Sequence, residues 1–316
     1  TSSEIKNVAS FYKNNRVFYN ETIEETIDGK LEAPEEGFFG IDNSIWMNQK
    51  YTIKTSGLSQ IINTFHANIY KTDFDYLNEN IGKYIHNFMR NMDIPLPELD
   101  SSSVLTIMNL LLLKDVWSTG ALKESADSYD FNDKKMKMLI GNYEDGMVYE
   151  EESFKSFYIT TKNGYKLTFV VPKDSHPLNE VFHKELLEKI VSATYKTSNN
   201  DVYYKTRCIF PEFRISSSES LKDVCKSMGI SEIFSPTSEY IVFDDKGNFI
   251  NDIKQNIYLD VNKNGIDAGA ITYSSIFGNP SKKIEYNDFI IDRSFGFMIT
   301  ELETNILLFS GTIHNV

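Results

Sequence analysis

The residues whose type and spacing best suit chemistry form a short run of oxygen donors. Asp260, Asn262 and Asn264 occupy the first, third and fifth positions of a calcium-binding loop, and Gly265 occupies the sixth. Such a loop carries a bidentate Glu at its twelfth position, where this chain has Ile271. Because Ile271 has no side-chain oxygen, we rank a calcium-binding module or an enzyme last of three hypotheses and predict no bound metal.

Residue types that serve catalysis are present, but they show no catalytic spacing. The chain has no phosphate-binding loop, dinucleotide-binding glycine pattern, zincin helix or nucleophile elbow. Its two cysteines, Cys208 and Cys225, match no metal-binding motif. The five histidines are dispersed along the chain, at positions 66, 86, 176, 183 and 314. We therefore predict that the protein is not an enzyme and uses no cofactor.

The charge of the chain restricts its partners. The formal net charge is −13 at pH 7, and the lysines are scattered rather than gathered into a basic stripe. Nucleic acids and anionic membranes attract basic patches, so we predict neither as a partner. No uninterrupted apolar run approaches the roughly eighteen residues of a membrane-spanning helix, so none is predicted.

Hydrophobic patterning predicts the helices and strands that must position any site. Helices are expected at 4–27, 61–65, 77–92, 178–191 and 218–228, and strands at 41–47, 104–113, 158–171 (a hairpin) and 257–261. The nearly continuous apolar run at 104–113 is typical of a strand that is buried on both faces. Helices followed by a strand-rich second half indicate an α+β fold with several sheets.

Several of these segments resemble the serpin family, in its order and at roughly its spacing. Residues 43–47 resemble the second strand of the main serpin sheet, and residues 104–117 resemble the third. The Phe-Pro-Glu-Phe motif at 210–213 and the Phe-Ser pair at 234–235 resemble a later block. Residues 289–315 resemble the C-terminal strands. Four such segments in order make the resemblance specific.

The resemblance implies an α+β, serpin-like fold with three β-sheets, surrounding helices and an exposed reactive-centre loop at about 265–288. It also implies a single domain over 1–316 that lacks the family's N-terminal helices. Asn109 would belong to the shutter under the main sheet and Trp117 to the breach at its top. Gln255 stands at a shutter position where the family usually has His.

The start of the reactive-centre loop is the hinge, which enters the main sheet of inhibitory serpins after cleavage. The hinge residues implied here are Gly265, Ile266, Asp267, Ala268, Gly269, Ala270 and Thr272. Side chains alternate along a strand, so Ile266 and the even-numbered residues after it share a face that is uncharged and mostly small. This pattern favours an insertable hinge, although the bulk of Ile266 works against fast insertion.

The family's count of fifteen residues from Gly265 places the cleaved bond between Asn279 and Pro280. A Pro after the cleaved bond is poorly accepted by most serine proteases, because its ring restricts the residue before it. Three alternatives stay open, namely cleavage after Phe277, Lys282 or Lys283.

The leading hypothesis is an inhibitor of serine endopeptidases, with cysteine endopeptidases as further targets, that acts as a suicide substrate. The alternative is a non-inhibitory serpin that serves as a carrier, binding protein or chaperone. The partner would be the target protease, and the protein a monomer. Segment 4–27 mixes basic and acidic residues, so we expect no heparin dependence. The compartment is not given by the residues, but the resemblance favours an extracellular one.

Overall fold

The computed structural model describes residues 38–51, 67–89, 105–144, 148–174, 176–193, 203–235, 250, 253–267 and 284–316. The chain divides into two compact units, which are described separately. The first takes residues 1–113 and 215–259, and the second takes residues 114–214 and 260–316. The helices predicted at 4–27 and 61–65 lie outside the described residues, and the single domain over 1–316 stays a prediction.

Six strands form the largest sheet. They are β1 (Phe38–Asn48), β2 (Asn68–Thr72), β3 (Leu105–Val116), β12 (Phe213–Ser220), β13 (Ile253–Asn262) and β14 (Gly265–Ile266). Their hydrogen-bonded order is β12-β13-β14-β3-β1-β2. The strands predicted at 41–47, 104–113 and 257–261 are confirmed within β1, β3 and β13.

In the first unit, β1 runs parallel to β2, and helix α1 (Leu77–Met89) follows on the chain. Leu77, Ile81 and Ile85 are buried at a spacing of four residues, which places them on one face of the helix. The ring of Tyr84 lies 5.3 Å from the ring of Trp46, measured between centroids. This apolar face confirms the helix predicted at 77–92 as far as Met89, where the described segment ends.

The second unit contains two further sheets and a hairpin. The five-stranded sheet consists of β8 (Val148–Glu150), β9 (Phe154–Thr160), β10 (Tyr165–Pro172), β16 (Phe295–Glu301) and β17 (Leu307–Ile313). The four-stranded sheet consists of β4 (Lys123–Glu124), β7 (Leu139–Glu144), β11 (Tyr203–Phe210) and β15 (Ile284–Ile290). The hairpin pairs β5 (Tyr129–Phe131) with β6 (Lys134–Met136). The predicted α+β fold with three sheets is confirmed.

The core of the second unit is aromatic. Every residue of β10 is buried, and the ring of Phe169 lies 4.8 Å from Phe210 and 5.8 Å from Phe295 between centroids. The hairpin predicted at 158–171 is confirmed as β9 and β10. Its turn uses Gly164 at a φ of +92°, a conformation that favours glycine because it has no Cβ.

Two predicted helices differ from the structure. The helix expected at 178–191 is two helices, α2 (Leu178–Val181) and α3 (Lys184–Ser192), because His183 between them is extended, with φ −138° and ψ 170°. The helix expected at 218–228 is only α4 (Lys222–Ser227). Residues 218–220 instead continue β12, and the Leu221 N–H still bonds the Ile253 carbonyl. No helix of the described residues is both long and apolar enough to cross a membrane.

Candidate functional site

The site is built around the hairpin that joins β13 to β14 in the second unit. The Asn264 N–H donates to the Asn262 side-chain oxygen at 2.9 Å, which closes a tight turn. On one side the Leu122 N–H donates to the Lys263 carbonyl at 2.7 Å. The Lys263 N–H in turn donates to the Glu212 carboxylate at 2.9 Å. The chain therefore enters the predicted hinge from a turn that is fixed by hydrogen bonds.

Strand β14 lies between β13 and β3. Gly265 is opposite Asn262 on β13 and Val116 on β3, while Ile266 is opposite Val261 and Asp115. Both pairings are antiparallel. The first two residues of the predicted hinge are thus already a strand of the sheet, with neighbours on both sides.

Elsewhere along the same two strands, β3 and β13 pair directly and in parallel. In the first unit Asn109 is opposite Gln255, without a strand between them. Asp115 and Val261, which flank Ile266, each lie six residues further along their strand than that pair. The two strands therefore pair directly in the first unit, and in the second unit β14 pairs with both of them.

Gly265 is required by a close approach to β3. A Cβ atom at this position would lie 2.0 Å from the Asp115 carbonyl oxygen and 2.7 Å from the Val116 Cα. Those contacts are with backbone, which cannot turn aside as a side chain can. A larger residue here would push β14 out of the sheet.

Ile266 fills a fully buried row. Its side chain, that of Val261 and that of Asp115 are each 0% exposed. Burying an isoleucine side chain of this kind contributes about 1.5–3 kcal/mol. The bulk of Ile266, which was expected to slow insertion, therefore anchors the start of the hinge in the sheet.

Asp115 is a buried carboxylate that the sequence analysis did not select. One of its oxygens accepts from the Val116 N–H at 2.9 Å and from the Asn163 amide at 2.8 Å. The other accepts from the Asn163 backbone N–H at 3.0 Å. Three hydrogen bonds offset the cost of burying this charge and fix the turn after β9 to the end of β3. Its only signal in the sequence is an acid two residues after the end of a long apolar run.

Trp117 holds the other side of the hairpin turn. Its ring is 2% exposed, and its Nε1–H donates to the Asn262 carbonyl at 2.9 Å. Its backbone N–H donates to the Asn264 carbonyl at 3.2 Å. The residue expected in the breach thus contacts the turn that leads into the hinge.

Asp267 directly follows β14 and is partly buried. Its φ is +46°, which departs from the extended strand, and its N–H donates to the Asp260 carbonyl at 2.6 Å. One oxygen of its carboxylate is buried and has no hydrogen-bond partner in the part of the chain that the structure describes. Burial, and secondarily the Asp260 charge, raise the pKa of Asp267 to about 6 against the opposing effects of Lys114 and Arg214.

The two residues expected in the shutter, Asn109 and Gln255, lie in the first unit. The Asn109 amide donates to the Asn43 side-chain oxygen at 2.7 Å. Gln255 is half-buried and stands opposite Asn109 across the direct β3–β13 pairing. The structure therefore brings Asn109 and Gln255 together, at a place where no strand has entered between them.

The oxygen donors that suggested a calcium loop are used in other ways. The Asp260 carboxylate pairs with Arg214 at 3.0 Å, and the Asn262 side chain closes the turn. Within the described ranges, no group of three or more His, Cys, Asp or Glu side chains could hold a metal ion. The pattern at 260–265 is that of a hairpin turn rather than of half a metal site.

The loop expected at 265–288 is strand at both of its ends. Gly265 and Ile266 form β14, and residues 284–288 belong to β15, which pairs in parallel with β11. The remaining predicted residues lie outside the described residues: Ala268, Gly269, Ala270, Thr272, Phe277, Asn279, Pro280, Lys282 and Lys283.

Comparison with known proteins gives this arrangement a family. A family profile described as "Serpin (serine protease inhibitor)" matches residues 1–316. Human neuroserpin is 23% identical over 292 residues, which cover 86% of this chain and 70% of neuroserpin. Iris from Ixodes ricinus is 24% identical over 296 residues, which cover 87% of this chain and 76% of Iris.

Solved structures share the fold. Tengpin, a thermophilic serpin in its native state, matches with a TM-score of 0.74 at 22% identity, over 91% of this chain and 76% of tengpin. Human thyroxine-binding globulin matches with a TM-score of 0.70 at 16% identity, over 89% of this chain and 76% of the globulin.

Proposed function

This chain belongs to the serpin family, and from that premise we propose that it inhibits serine endopeptidases by cleavage and insertion of its loop. The target protease cleaves the reactive-centre loop as a substrate, and the freed part enters the main sheet as a new strand. The protease, still attached as an acyl-enzyme, is carried along and its active site is distorted. Cysteine endopeptidases are included among the targets.

The observation that carries this proposal is the position of β14. Gly265 and Ile266 pair with β13 on one side and with β3 on the other. Insertion of the residues that follow would lengthen a strand that already exists. Each added residue would find backbone hydrogen-bond partners in both neighbours, which supports the inhibitory mechanism.

The direct pairing of β3 with β13 sets the cost of insertion. To pass Asn109 and Gln255, the new strand must break their pairing and replace one ladder with two. The exchange gains hydrogen bonds in the end, but the direct hydrogen bonds between β3 and β13 must break first. The uncleaved protein can therefore persist behind a kinetic barrier. A suicide substrate needs such a barrier, because the free energy of loop insertion must be released only after cleavage.

A panel of serine and cysteine endopeptidases tests the proposal. We expect at least one protease to form a complex that survives SDS, with the protease linked to the cleaved chain. The variant Ile266→Arg places a charge in the row that is 0% exposed and should be cleaved without complex formation. Val224→Arg, at a side chain that is 52% exposed, is the matched control and should inhibit normally. Cleavage by every protease without any stable complex would reject inhibition.

The cleaved bond is part of the proposal. The bond between Asn279 and Pro280 is the first candidate by the family's count, and the bonds after Phe277, Lys282 and Lys283 are the alternatives. Mass spectrometry of the peptide released on complex formation identifies the bond directly. A cut at a different bond, with inhibition intact, would show that the family's count of fifteen residues from Gly265 does not locate the cleaved bond in this protein.

The second candidate function is that of a non-inhibitory carrier. Pro280 after the expected bond favours it, because most serine proteases accept such a bond poorly. A serpin fold that binds a small molecule exists in thyroxine-binding globulin, solved in complex with thyroxine. The two functions are separated by thermal unfolding after the loop has been cut. A carrier should unfold at the same temperature as before, whereas an inhibitor should unfold at a higher one.

Further expectations follow from the proposed function. The partner is a protease, the protein acts as a monomer, and heparin does not accelerate it. An extracellular location is proposed from the family alone. Retention on a heparin column that weakens with salt would contradict the heparin expectation.

A further inference from the structure

The hinge places four charged residues in one row across the sheet. Lys114 on β3, Asp260 on β13 and Asp267 after β14 each lie one residue from the buried row of Asp115, Val261 and Ile266. Neighbouring residues of an extended strand face opposite sides, so Lys114 and Asp260 point away from the buried row. The charges of Lys114, Asp260 and Arg214 all act on the Asp267 carboxylate, which places it beside them. Arg214 on β12 extends the row by its ion pair with Asp260. The row therefore reads positive, negative, negative and positive from β12 to β3.

Asp267 is the member of the row that arrives with the hinge. It meets a like charge on β13 and an opposite charge on β3, while Arg214 already pairs with Asp260 at 3.0 Å. One Asp267 oxygen is buried, and no hydrogen-bond donor reaches it among the described residues. An ionised carboxylate in this position loses water without gaining full compensation. A neutral carboxyl group loses much less.

We propose that Asp267 couples seating of the hinge to proton uptake, so that the hinge of the uncleaved protein enters the sheet as the pH falls. The inference rests on the proposed function, because a seated hinge matters where the loop inserts. With Asp267 ionised, the hinge tends to leave the sheet and the reactive-centre loop gains length. With Asp267 neutral, Ile266 stays buried and insertion has already begun.

The direction of the pH effect follows from proton linkage. A freely exposed Asp has its ordinary pKa of 3.8, and burial in the seated hinge raises the pKa of Asp267 to about 6. Seating is therefore favoured most below the lower value and loses that advantage as the pH rises through the higher one. Between them, the ratio of seated to free hinge should fall up to about tenfold for each unit of pH. Above about pH 7 the ratio should stay constant.

Tryptophan fluorescence can follow the seating. The chain has two tryptophans, and Trp117 bonds the turn that leads into β14. In a Trp46→Phe background, the emission of Trp117 should change as the pH falls from about 7, with its midpoint between the ordinary pKa of 3.8 and the raised pKa of about 6. Asp267→Asn should keep the low-pH emission at every pH. Asp130→Asn, at an exposed carboxylate of the β5–β6 hairpin, is the matched control and should follow the parent.

Hydrogen exchange gives the same answer without the tryptophan replacement. After correction for intrinsic exchange rates, the peptide over 264–267 of the unmodified chain should be better protected at low pH. A parent protein whose hinge signals do not vary through this window would overturn the proposal. So would an Asp267→Asn variant that keeps the parent's pH response, since that response would then belong to a histidine or to another acid.

The loop-cleaved protein separates this inference from the proposed function. If cleavage raises the unfolding temperature while the intact hinge ignores pH, loop insertion stands and the role of Asp267 is rejected. If the intact hinge responds to pH through Asp267 but cleavage leaves the unfolding temperature unchanged, proton-coupled seating stands and inhibition by insertion is rejected.

Discussion

The pairing of β3 with β13 differs between its two ends. Around Asn109 and Gln255 the strands bond each other directly, whereas around Asp115 and Val261 they bond β14 between them. At the first end, the Asn109 amide also donates to the Asn43 side-chain oxygen at 2.7 Å. The second end is fixed by Trp117, Asp115 and the hairpin turn.

The difference shows how one sheet can be both ready for insertion and resistant to it. The end that carries β14 supplies the position and the backbone partners for a new strand. The directly paired end supplies the barrier, because its hydrogen bonds must break before the strand can advance. Mutations at the two ends should therefore have different signatures: loss of stability at the end that carries β14 and faster insertion at the directly paired end.

The largest effect is expected for Trp117→Ala. Removing a large aromatic side chain that is 2% exposed should cost about 3–5 kcal/mol in the free energy of unfolding. The hairpin turn would also lose the Nε1–H bond to the Asn262 carbonyl. Urea denaturation measures the cost, with Trp117→Phe as the matched control that retains most of the buried volume. A loss below about 1 kcal/mol would mean that this end of the strands is not held by the tryptophan.

The next effect is expected for Gly265→Ala. The added Cβ would lie 2.0 Å from the Asp115 carbonyl oxygen, so β14 must leave the sheet or β3 must move. We expect a loss of about 1–3 kcal/mol, as for other overpacked positions, together with faster hydrogen exchange at 264–267. Gly229→Ala is the control, because Gly229 also has a positive φ but has open space around it. If both variants behave alike, the close approach of β14 to β3 is not what selects glycine.

The smallest effect on stability is expected for Asn109→Ala, which should also make insertion of the loop faster. Its hydrogen bond to Asn43 contributes about 1 kcal/mol. Without it the directly paired end should open more readily, so the uncleaved protein should convert faster to an inactive, loop-inserted form on warming. The half-life of inhibitory activity at elevated temperature measures this. An unchanged half-life would place the barrier elsewhere.

Much of the fold follows from local patterns in the sequence. The apolar run at 104–113 predicted β3, and the pattern at 158–171 predicted the β9–β10 hairpin. The resemblance to serpins supplied the family and the expectation of three sheets. These features were accessible because each depends on a short segment or on a motif.

The parts that could not be predicted depend on contacts between distant residues. The clamp between Asp115 and Asn163 joins residues that are 48 positions apart, so no pattern within one segment indicates it. Residues 218–220 became strand because pairing with a neighbouring strand outweighs local propensity. The alternation of small residues indicated that the hinge could insert, but only the β14 pairings place its first two residues inside the sheet.

The central claim is that the chain after Ile266 can become a strand between β3 and β13. Hydrogen exchange of peptides covering 268–279, before and after a single cut in the loop, tests it most directly. The account predicts that these peptides become protected after the cut, and that the unfolding temperature rises with them. Peptides that exchange equally fast in the intact and the cut protein would contradict it.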